Sequence, residues 1–214
     1  MFEKRSRAQA PTRPAVVQRR GVERRRALIE AAEGLLAEQG YEAATLKAVG
    51  DRAGIPVASV YHYFADRYQV EAELMQRYVD ELDGIIDSAL VNRDPQTLRD
   101  IGDAVIDPLL EYFRLHPSCT ELWFKGRNET VIDLVRAFDE VQAERVWHVL
   151  VERGLVPADL PLLVVQLAFE VGNRLFDVAF RNSPNGDDIT INEARRIVTA
   201  YLATYATDGP QRRA

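Results

Sequence analysis

The segment GIPVASVYHYF, residues 54–64, concentrates side chains that bind phosphates and nucleobases within one or two turns of helix. A helix this short is unstable alone in water and must be docked on a larger structure. Val60 and Phe64 are four residues apart, so they predict the docked face. Hydroxyl, imidazole and phenol groups are then left on the other sides, where they can reach phosphates or bases. These residues are Ser59, Tyr61, His62 and Tyr63.

The elements around this segment predict how it is positioned. Thr45 precedes apolar residues at helical spacing and is a natural N-cap, and Gly54 closes the short helix that it opens. The two short helices form a helix-turn-helix, which presents its second helix to the DNA major groove. Asp66 and Gln69 predict a capping box that opens a long helix at Arg67.

The rest of the chain keeps a helical period in every segment. We predict helices over 98–115 (interrupted by Pro108), 131–152, 160–181 and 189–205, and a first helix that ends at Gly40. No run alternates as a strand does, and no internal repeat is present. The sequence therefore predicts an all-α protein.

The charge of the chain is unevenly distributed. Residues 1–67 hold 12 Lys/Arg against 8 Asp/Glu, whereas the remainder holds 15 against 25. Residues 1–26 alone carry 9 basic and 2 acidic side chains, which indicates either an arm attracted to a polyanion or a solvated tail. Two prolines and the absence of a helical period predict that residues 1–21 form a disordered basic arm.

Catalytic and metal-binding patterns are weak. The three histidines are scattered, Cys119 is the single cysteine, and no glycine-rich phosphate loop or GxSxG motif is present. We therefore expect no enzyme activity, no metal and no cofactor. A single cysteine, no secretory signal and apolar runs too short to span a bilayer predict a cytoplasmic protein with no membrane partner.

The stretch AAEGLLAEQGYEAATLKAVGDRAGIPVASVYHYFADR carries a resemblance to a known family. Residues 25–74 resemble the N-terminal DNA-binding domain of the TetR family of bacterial transcriptional regulators. The resemblance implies a homodimer that binds a palindromic double-stranded DNA operator with one recognition helix per half-site. The implied DNA-binding residues are Thr45, Lys47, Val57, Ala58, Ser59, Tyr61, His62, Tyr63 and Arg67.

Their implied roles differ. Thr45, Tyr61 and His62 would bind phosphates, and Lys47 would lie near the backbone or groove. Arg67 stands where the family usually has a lysine, and either cation can pair with a phosphate. Tyr63 either contacts DNA or completes a small core.

Three positions depart from the pattern of the family. Pro56 replaces a serine cap and offers no side-chain acceptor. Val57 replaces a common lysine and exchanges a polar contact for an apolar one, such as a thymine methyl group. Gly50 stands where alanine is frequent and costs about 1 kcal/mol unless it permits close packing.

The resemblance implies that the acidic remainder binds a small-molecule effector and forms the dimer. Helices 160–181 and 189–205 would build a four-helix dimer bundle. An apolar or aromatic effector would contact aromatic walls and a few polar groups, although each aromatic residue could equally be ordinary core. The candidates are Tyr112, Phe113, His116, Trp123, Phe124, Arg127, Phe138, Trp147, Glu170 and Asn173. Within one helix, Glu170 could pair with Arg174, and Asn173 with Asp177.

Together these inferences predict three regions: a basic arm (1–21), a three-helix helix-turn-helix domain (22–67) and a larger helical domain for effector binding and dimerisation (68–208), joined by the long helix. The expected function is a ligand-responsive dimeric regulator, most simply a repressor. An activator remains open, because the difference lies in where the operator sits. The alternative from another class is an all-α ligand-binding or enzymatic protein in which the helix-turn-helix is only a packing motif.

Overall fold

The computed structural model describes residues 13–207, with side chains from Arg19 onward. Within these residues the chain forms nine α-helices, one 3₁₀ turn and no strand, which confirms the all-α prediction. The elements are α1 (Arg13–Gln39), the 3₁₀ turn (Tyr41–Ala43), α2 (Leu46–Ala53), α3 (Val57–Val60), α4 (Arg67–Asn92), α5 (Leu98–Leu115), α6 (Pro117–Lys125), α7 (Glu129–Glu152), α8 (Leu162–Asn182) and α9 (Asp188–Ala203).

Helix α1 begins earlier than the sequence suggested. It includes residues 13–21, so the prediction of disorder is wrong for this part of the basic arm. Pro14 lies in the first turn, where its fixed φ and missing N–H are compatible with a helix. Residues 1–12 of the predicted arm lie outside the described residues.

Two corrections concern the segment that follows α4. Helix α5 continues through Pro108 rather than being interrupted there. Helix α6 was missed, because it is short and begins with Pro117 directly after the end of α5. Both differences show proline being accommodated within or at the start of a helix that packing stabilises.

Helices α1, α2 and α3 pack together at one end, and α1 also contacts α4 and α6. The close packing around α2 explains why glycine stands at position 50, one of the three departures from the family pattern. A Cβ atom there would lie 2.8 Å from the Ile55 carbonyl oxygen and 2.9 Å from the Val60 Cγ2 atom. Glycine at this position therefore permits the turn and α3 to approach α2 closely.

The long helix α4 connects this end to the remaining helices, packing against α5 and α7, while α8 packs along α9. Asp66 caps α4 by accepting from the Gln69 backbone N–H at 3.0 Å, as predicted. The Gln69 side chain accepts from the Ala65 N–H at 3.0 Å, one residue before the position of a standard capping box.

No helix within residues 13–207 combines the length and apolar character needed to cross a lipid bilayer.

Candidate nucleic-acid interface and sensor cavity

The recognition helix was expected over residues 57–64, but α3 ends at Val60 and residues 61–63 continue as a turn, because a segment this short is shaped by its docking rather than by its own helix stability. Two fully buried side chains hold the whole segment 57–64, which includes α3, against the protein. Val60 and Phe64 are both 0 % exposed, which confirms the predicted inward face. Gly54 adopts the left-handed conformation (φ 65°, ψ 28°) that ends α2 and reverses the chain. Pro56 is the N-cap of α3 and makes no side-chain capping bond. The orientation of α3 is thus set by its buried side and by the turn.

The opposite side of α3 faces solvent. Tyr61 is 57 % exposed and Val57 is 39 % exposed, and Ala58 and His62 are also exposed. Ser59 is half-buried on the flank. One short surface therefore combines a phenol, an imidazole and two small apolar side chains.

Tyr63 differs from these residues because its ring is half-buried and packs against the core. The packing agrees with the alternative in which Tyr63 completes a small core. A DNA contact by Tyr63 stays a prediction.

Thr45 and Lys47 extend the exposed surface to the start of α2. The Thr45 hydroxyl oxygen accepts from the Ala48 N–H at 3.2 Å, so its own proton remains available for a phosphate oxygen. Lys47 is exposed and forms no ion pair with any residue that the structure describes. Both groups are placed to bind an anion near the N-terminus of α2.

The Arg67 side chain bonds to other residues of the protein and is mostly shielded from solvent. Its Nε donates to Glu71 Oε1 at 2.7 Å, and its Nη2 donates to the Tyr41 carbonyl oxygen at 3.3 Å. The guanidinium carbon lies 4.3 Å from the centre of the Tyr41 ring. Glu71 is buried and requires a paired cation. The phosphate contact expected for Arg67 therefore competes with a structural role.

Arg25 positions the end of the α3 segment, and the sequence did not reveal this role. From α1 its Nη1 donates to the Tyr63 carbonyl oxygen at 2.9 Å, its Nη2 pairs with Glu73, and its guanidinium lies 4.3 Å from the Phe64 ring centre. These contacts fix the end of the α3 segment. The residues are 38 and 48 positions apart in sequence, so no local pattern signals the contact.

Tyr41 connects this interface to α6. Its backbone N–H donates to Glu121 Oε2 on α6 at 3.0 Å, and its hydroxyl donates to Glu71 Oε2 at 3.3 Å. Lys125 holds the other oxygen of Glu121 at 2.5 Å. The 3₁₀ turn is thereby bonded to α4 and to α6.

Most of the predicted effector contacts form packed core. Phe113 makes edge-to-face contacts with Trp123 and Phe124, and Trp123 does so with Phe138. Trp147 donates from Nε1 to the Leu160 carbonyl oxygen at 2.9 Å. These rings fill space between helices, as the alternative to a ligand role requires.

Four other candidates differ in burial, since Tyr112 is buried and His116 is half-buried. Tyr112 stacks on His116 with ring centres 4.1 Å apart and donates its hydroxyl to Glu81 Oε2 at 2.5 Å. Arg127 and Glu170 are exposed. The structure does not gather the ten candidates around one space, and their contact with a ligand stays a prediction.

An apolar cavity of ≈ 60 Å³ lies between α5, α7, α8 and α9. Its walls are aliphatic side chains, the ring of Phe169 and two glycines, Gly102 and Gly172. Asn173 is the only one of the ten candidates that lines it, and the only polar side chain among its lining residues within the described chain.

Asn173 donates to Asp139 Oδ2 on α7 at 2.7 Å, which corrects the expected pair with Asp177. Asp177 instead pairs with Arg174, and with Arg181 at 2.6 Å, so the expected pair of Glu170 with Arg174 is also not formed. Burial raises the pKa of Asp139 to about 7, and the negative charges of Glu170 and Glu140 act in the same direction. The cavity thus has one polar corner.

The outer face of α8 carries an exposed apolar stripe. Leu163, Leu167 and Val171 follow one another at four-residue spacing and are 59 %, 45 % and 42 % exposed. Ile189 and Ile197 are exposed on the neighbouring α9. Contiguous apolar surface of this kind marks interaction sites on soluble proteins.

Metal-binding geometry is absent from the part of the chain that the structure describes, since no three His, Cys, Asp or Glu side chains converge there.

Comparison with known proteins identifies the family. Residues 28–74 match the family described as bacterial regulatory proteins, tetR family, and residues 97–202 match the tetracyclin repressor-like C-terminal domain. A TetR-family transcriptional regulator from Streptomyces coelicolor has 30 % identical residues and a TM-score of 0.63, over 85 % of this chain and 99 % of that one. The chain belongs to the TetR family. TetR-family proteins are regulators rather than enzymes, which argues against the enzymatic alternative.

Curated relatives match shorter parts of the chain. The HTH-type transcriptional repressor KstR2 of Mycobacterium tuberculosis is 34 % identical over 86 residues, or 40 % of this chain and 37 % of the relative. The HTH-type transcriptional activator FasR of Mycolicibacterium smegmatis is 33 % identical over 102 residues, or 44 % and 47 % of the two chains. The match spans less than half the length of these relatives.

Proposed function

We propose that the chain is a dimeric transcriptional repressor that binds a palindromic operator through α3 and is released by a small-molecule effector. The observation that carries this proposal is the two-sided character of α3. Val60 and Phe64 are fully buried, whereas Val57, Tyr61 and His62 face solvent. A packing motif alone needs only the buried side.

The contacts with DNA are divided between two kinds of residue. Thr45, Lys47, Tyr61 and His62 carry donors that suit phosphate oxygens, which fix the position of the protein on the duplex. Val57 and Ala58, exposed on α3, suit thymine methyl groups in the major groove. Tyr63 and Arg67 support α3 and α4 from within, although the family resemblance also gives them a DNA contact.

The dimer is supported by the exposed stripe on α8 and the exposed isoleucines of α9. Pairing of these faces with a second copy would bury them and set the separation of two α3 helices. Half-sites would then lie roughly 34 to 36 Å apart or at a multiple of that distance. A charge in the stripe, Leu167→Glu, should give monomers in light scattering, whereas the same change at exposed Leu115 on α5 should leave a dimer.

Release by an effector requires that the effector and the operator DNA favour different states of the protein. An effector that lowers DNA affinity must itself bind more weakly to the DNA-bound protein, by the same factor. Repression is the simpler assignment, but the relatives include both a repressor and an activator. The position of the operator relative to its promoter would decide between them. Such a protein acts in the cytoplasm, where the operator is.

The proposal is tested by selecting binding sites from a random pool of duplex DNA with the purified chain. A palindromic site should be enriched by the parent and not by the Lys47→Ala, Tyr61→Ala variant. Arg99→Ala is the matched control, because Arg99 is also an exposed cation and lies on α5. Equal thermal stability of the variants would show that the lost binding is not unfolding. No enrichment by the parent at low salt would contradict DNA recognition.

A further inference from the structure

Two glycines in the middle of helices face the same cavity. Gly102 lies in α5 and Gly172 in α8, and both line the space between α5, α7, α8 and α9. A glycine inside a helix costs about 1 kcal/mol relative to alanine. The presence of two destabilising glycines beside one cavity therefore needs a structural explanation.

Close packing between helices does not explain these two glycines. A Cβ atom at Gly172 would lie 3.8 Å from Val198 Cγ2, and one at Gly102 would lie 3.8 Å from Thr199 Oγ1. Both distances are ordinary van der Waals contacts. Gly50 shows the contrast, because a Cβ atom there would lie only 2.8 Å from a backbone oxygen. At Gly102 and Gly172 an alanine would therefore fit, and because both residues line the cavity, we expect the added methyl groups to narrow it.

The polar corner of the cavity restricts what can occupy it. The Asn173 Nδ2 atom donates to Asp139, and the Asn173 carbonyl oxygen accepts no hydrogen bond from any residue that the structure describes. A guest that carries a donor can bond to this oxygen at the corner. Asp139, Glu140 and Glu170 lie nearby, so an anionic guest is disfavoured.

The other walls restrict it further. They are aliphatic except for the ring of Phe169, so a charged group placed away from the polar corner would lose its hydration there without compensation. The cavity volume of ≈ 60 Å³ is smaller than the roughly 150 Å³ of an engineered cavity that holds benzene. A single ring therefore enters only when side chains of the aliphatic walls change rotamer, which such walls tolerate.

We propose that Gly102 and Gly172 keep this cavity open for a small, neutral, mostly apolar molecule whose single hydroxyl group donates a hydrogen bond to Asn173. The role of that molecule as the effector rests on the proposed function. The assignment of the cavity rests on the glycines, the aliphatic walls and the polar corner.

Three probes of similar size separate the chemical classes: phenol, benzene and benzoate, titrated calorimetrically into the full chain. Phenol should bind roughly tenfold more tightly than benzene, the effect of about one hydrogen bond, and benzoate should not bind. Asn173→Leu should make phenol and benzene bind equally. Tighter binding of benzoate than of phenol would overturn the proposal.

Cavity-filling variants locate the site. Gly102→Ala with Gly172→Ala should reduce phenol affinity at least tenfold while the melting temperature does not fall, since alanine favours the helix. Gly84→Ala in α4 is the matched control, because a Cβ atom there meets nothing within 4 Å and the residue is away from the cavity. It should leave phenol binding unchanged. Unchanged affinity in the double variant would contradict the site.

Operator affinity, measured with and without phenol, separates this inference from the proposed function. A parent that binds phenol in the expected pattern yet keeps its operator affinity supports the cavity and contradicts effector release. A parent that binds the operator but none of the three probes contradicts the cavity, while operator binding stands.

Discussion

The two ends of the molecule are stabilised by different chemistry. Around α3, arginines from distant parts of the chain pair with carboxylates and backbone oxygens, as Arg25 does with Tyr63 and Arg67 with Glu71. Around the cavity, aliphatic side chains meet with only one polar corner. Directional bonds fix one geometry, whereas aliphatic walls can repack around a guest at small cost. We therefore expect the DNA-binding end to be rigid and the other end to be adaptable.

The largest expected effect tests the rigidity of the DNA-binding end. Arg67→Met would leave Glu71 buried without its cation, and breaking such a pair costs about 3 kcal/mol. Denaturant unfolding at pH 7 should show a loss of this size. Adding Glu71→Gln should restore most of it, because no charge is then left unpaired. If the single variant loses less than about 0.5 kcal/mol, a typical surface-pair effect, the network is not what stabilises this end.

A smaller effect is expected where α2 and α3 meet. Gly50→Ala should destabilise the chain by about 2 kcal/mol, because the added methyl group overlaps the Ile55 carbonyl oxygen and Val60. The same change at Gly84 should instead stabilise it by up to about 1 kcal/mol. Chemical denaturation measures both. Stabilisation by Gly50→Ala would mean that the close approach of α3 is not required.

The third effect concerns the polar corner of the cavity. The pKa of Asp139 is raised to about 7 by burial, above its value in the unfolded chain, so the folded state holds this proton more tightly. Its contribution to stability is present below pH 4 and is lost as the pH rises toward 7. Asp139→Asn should therefore be more stable than the parent at pH 8, and the difference should shrink toward pH 4.

The expected difference at pH 8 is roughly 1 kcal/mol, less than the full shift implies at about 1.4 kcal/mol per unit, because Asp139 is only half-buried and water screens it. Unfolding curves of both proteins at pH 4, 6 and 8 measure it. Arg136→Ala, an exposed change near Asp139 on the same helix, should leave the pH dependence in place. A parent with the same pH dependence as Asp139→Asn would contradict the raised pKa.

The sequence predicted best where the signal was local. The caps at Thr45 and Asp66, the turn at Gly54 and the inward pair Val60 and Phe64 could all be read from spacing. Contacts between distant residues could not, since the partners of Arg25 are set only when α1 meets the end of α3 and α4.

The cavity could not be predicted from the sequence for a related reason. Aromatic residues were the predicted pocket walls, yet Phe113 and Trp123 pack against each other in the core. The residues that line the cavity are aliphatic and recur at helical spacing. Every buried helix shows the same pattern. The glycines at 102 and 172 were the usable signal, because each costs helix stability without an evident turn.

The smallest expected effect comes from the basic N-terminus, whose removal should alter DNA binding only. Deleting residues 1–12 removes Lys4, Arg5 and Arg7 without shortening α1. If these cations bind phosphates, the slope of log affinity against log salt should fall by about 0.9 for each phosphate that the shortened chain no longer neutralises, while the selected operator sequence stays the same. Filter binding from low to moderate salt measures the slope. Replacing the three cations by glutamine is the control for length, and it should reproduce the deletion. An unchanged slope in both would assign the salt dependence to the folded surface around Lys47 and the start of α2 instead.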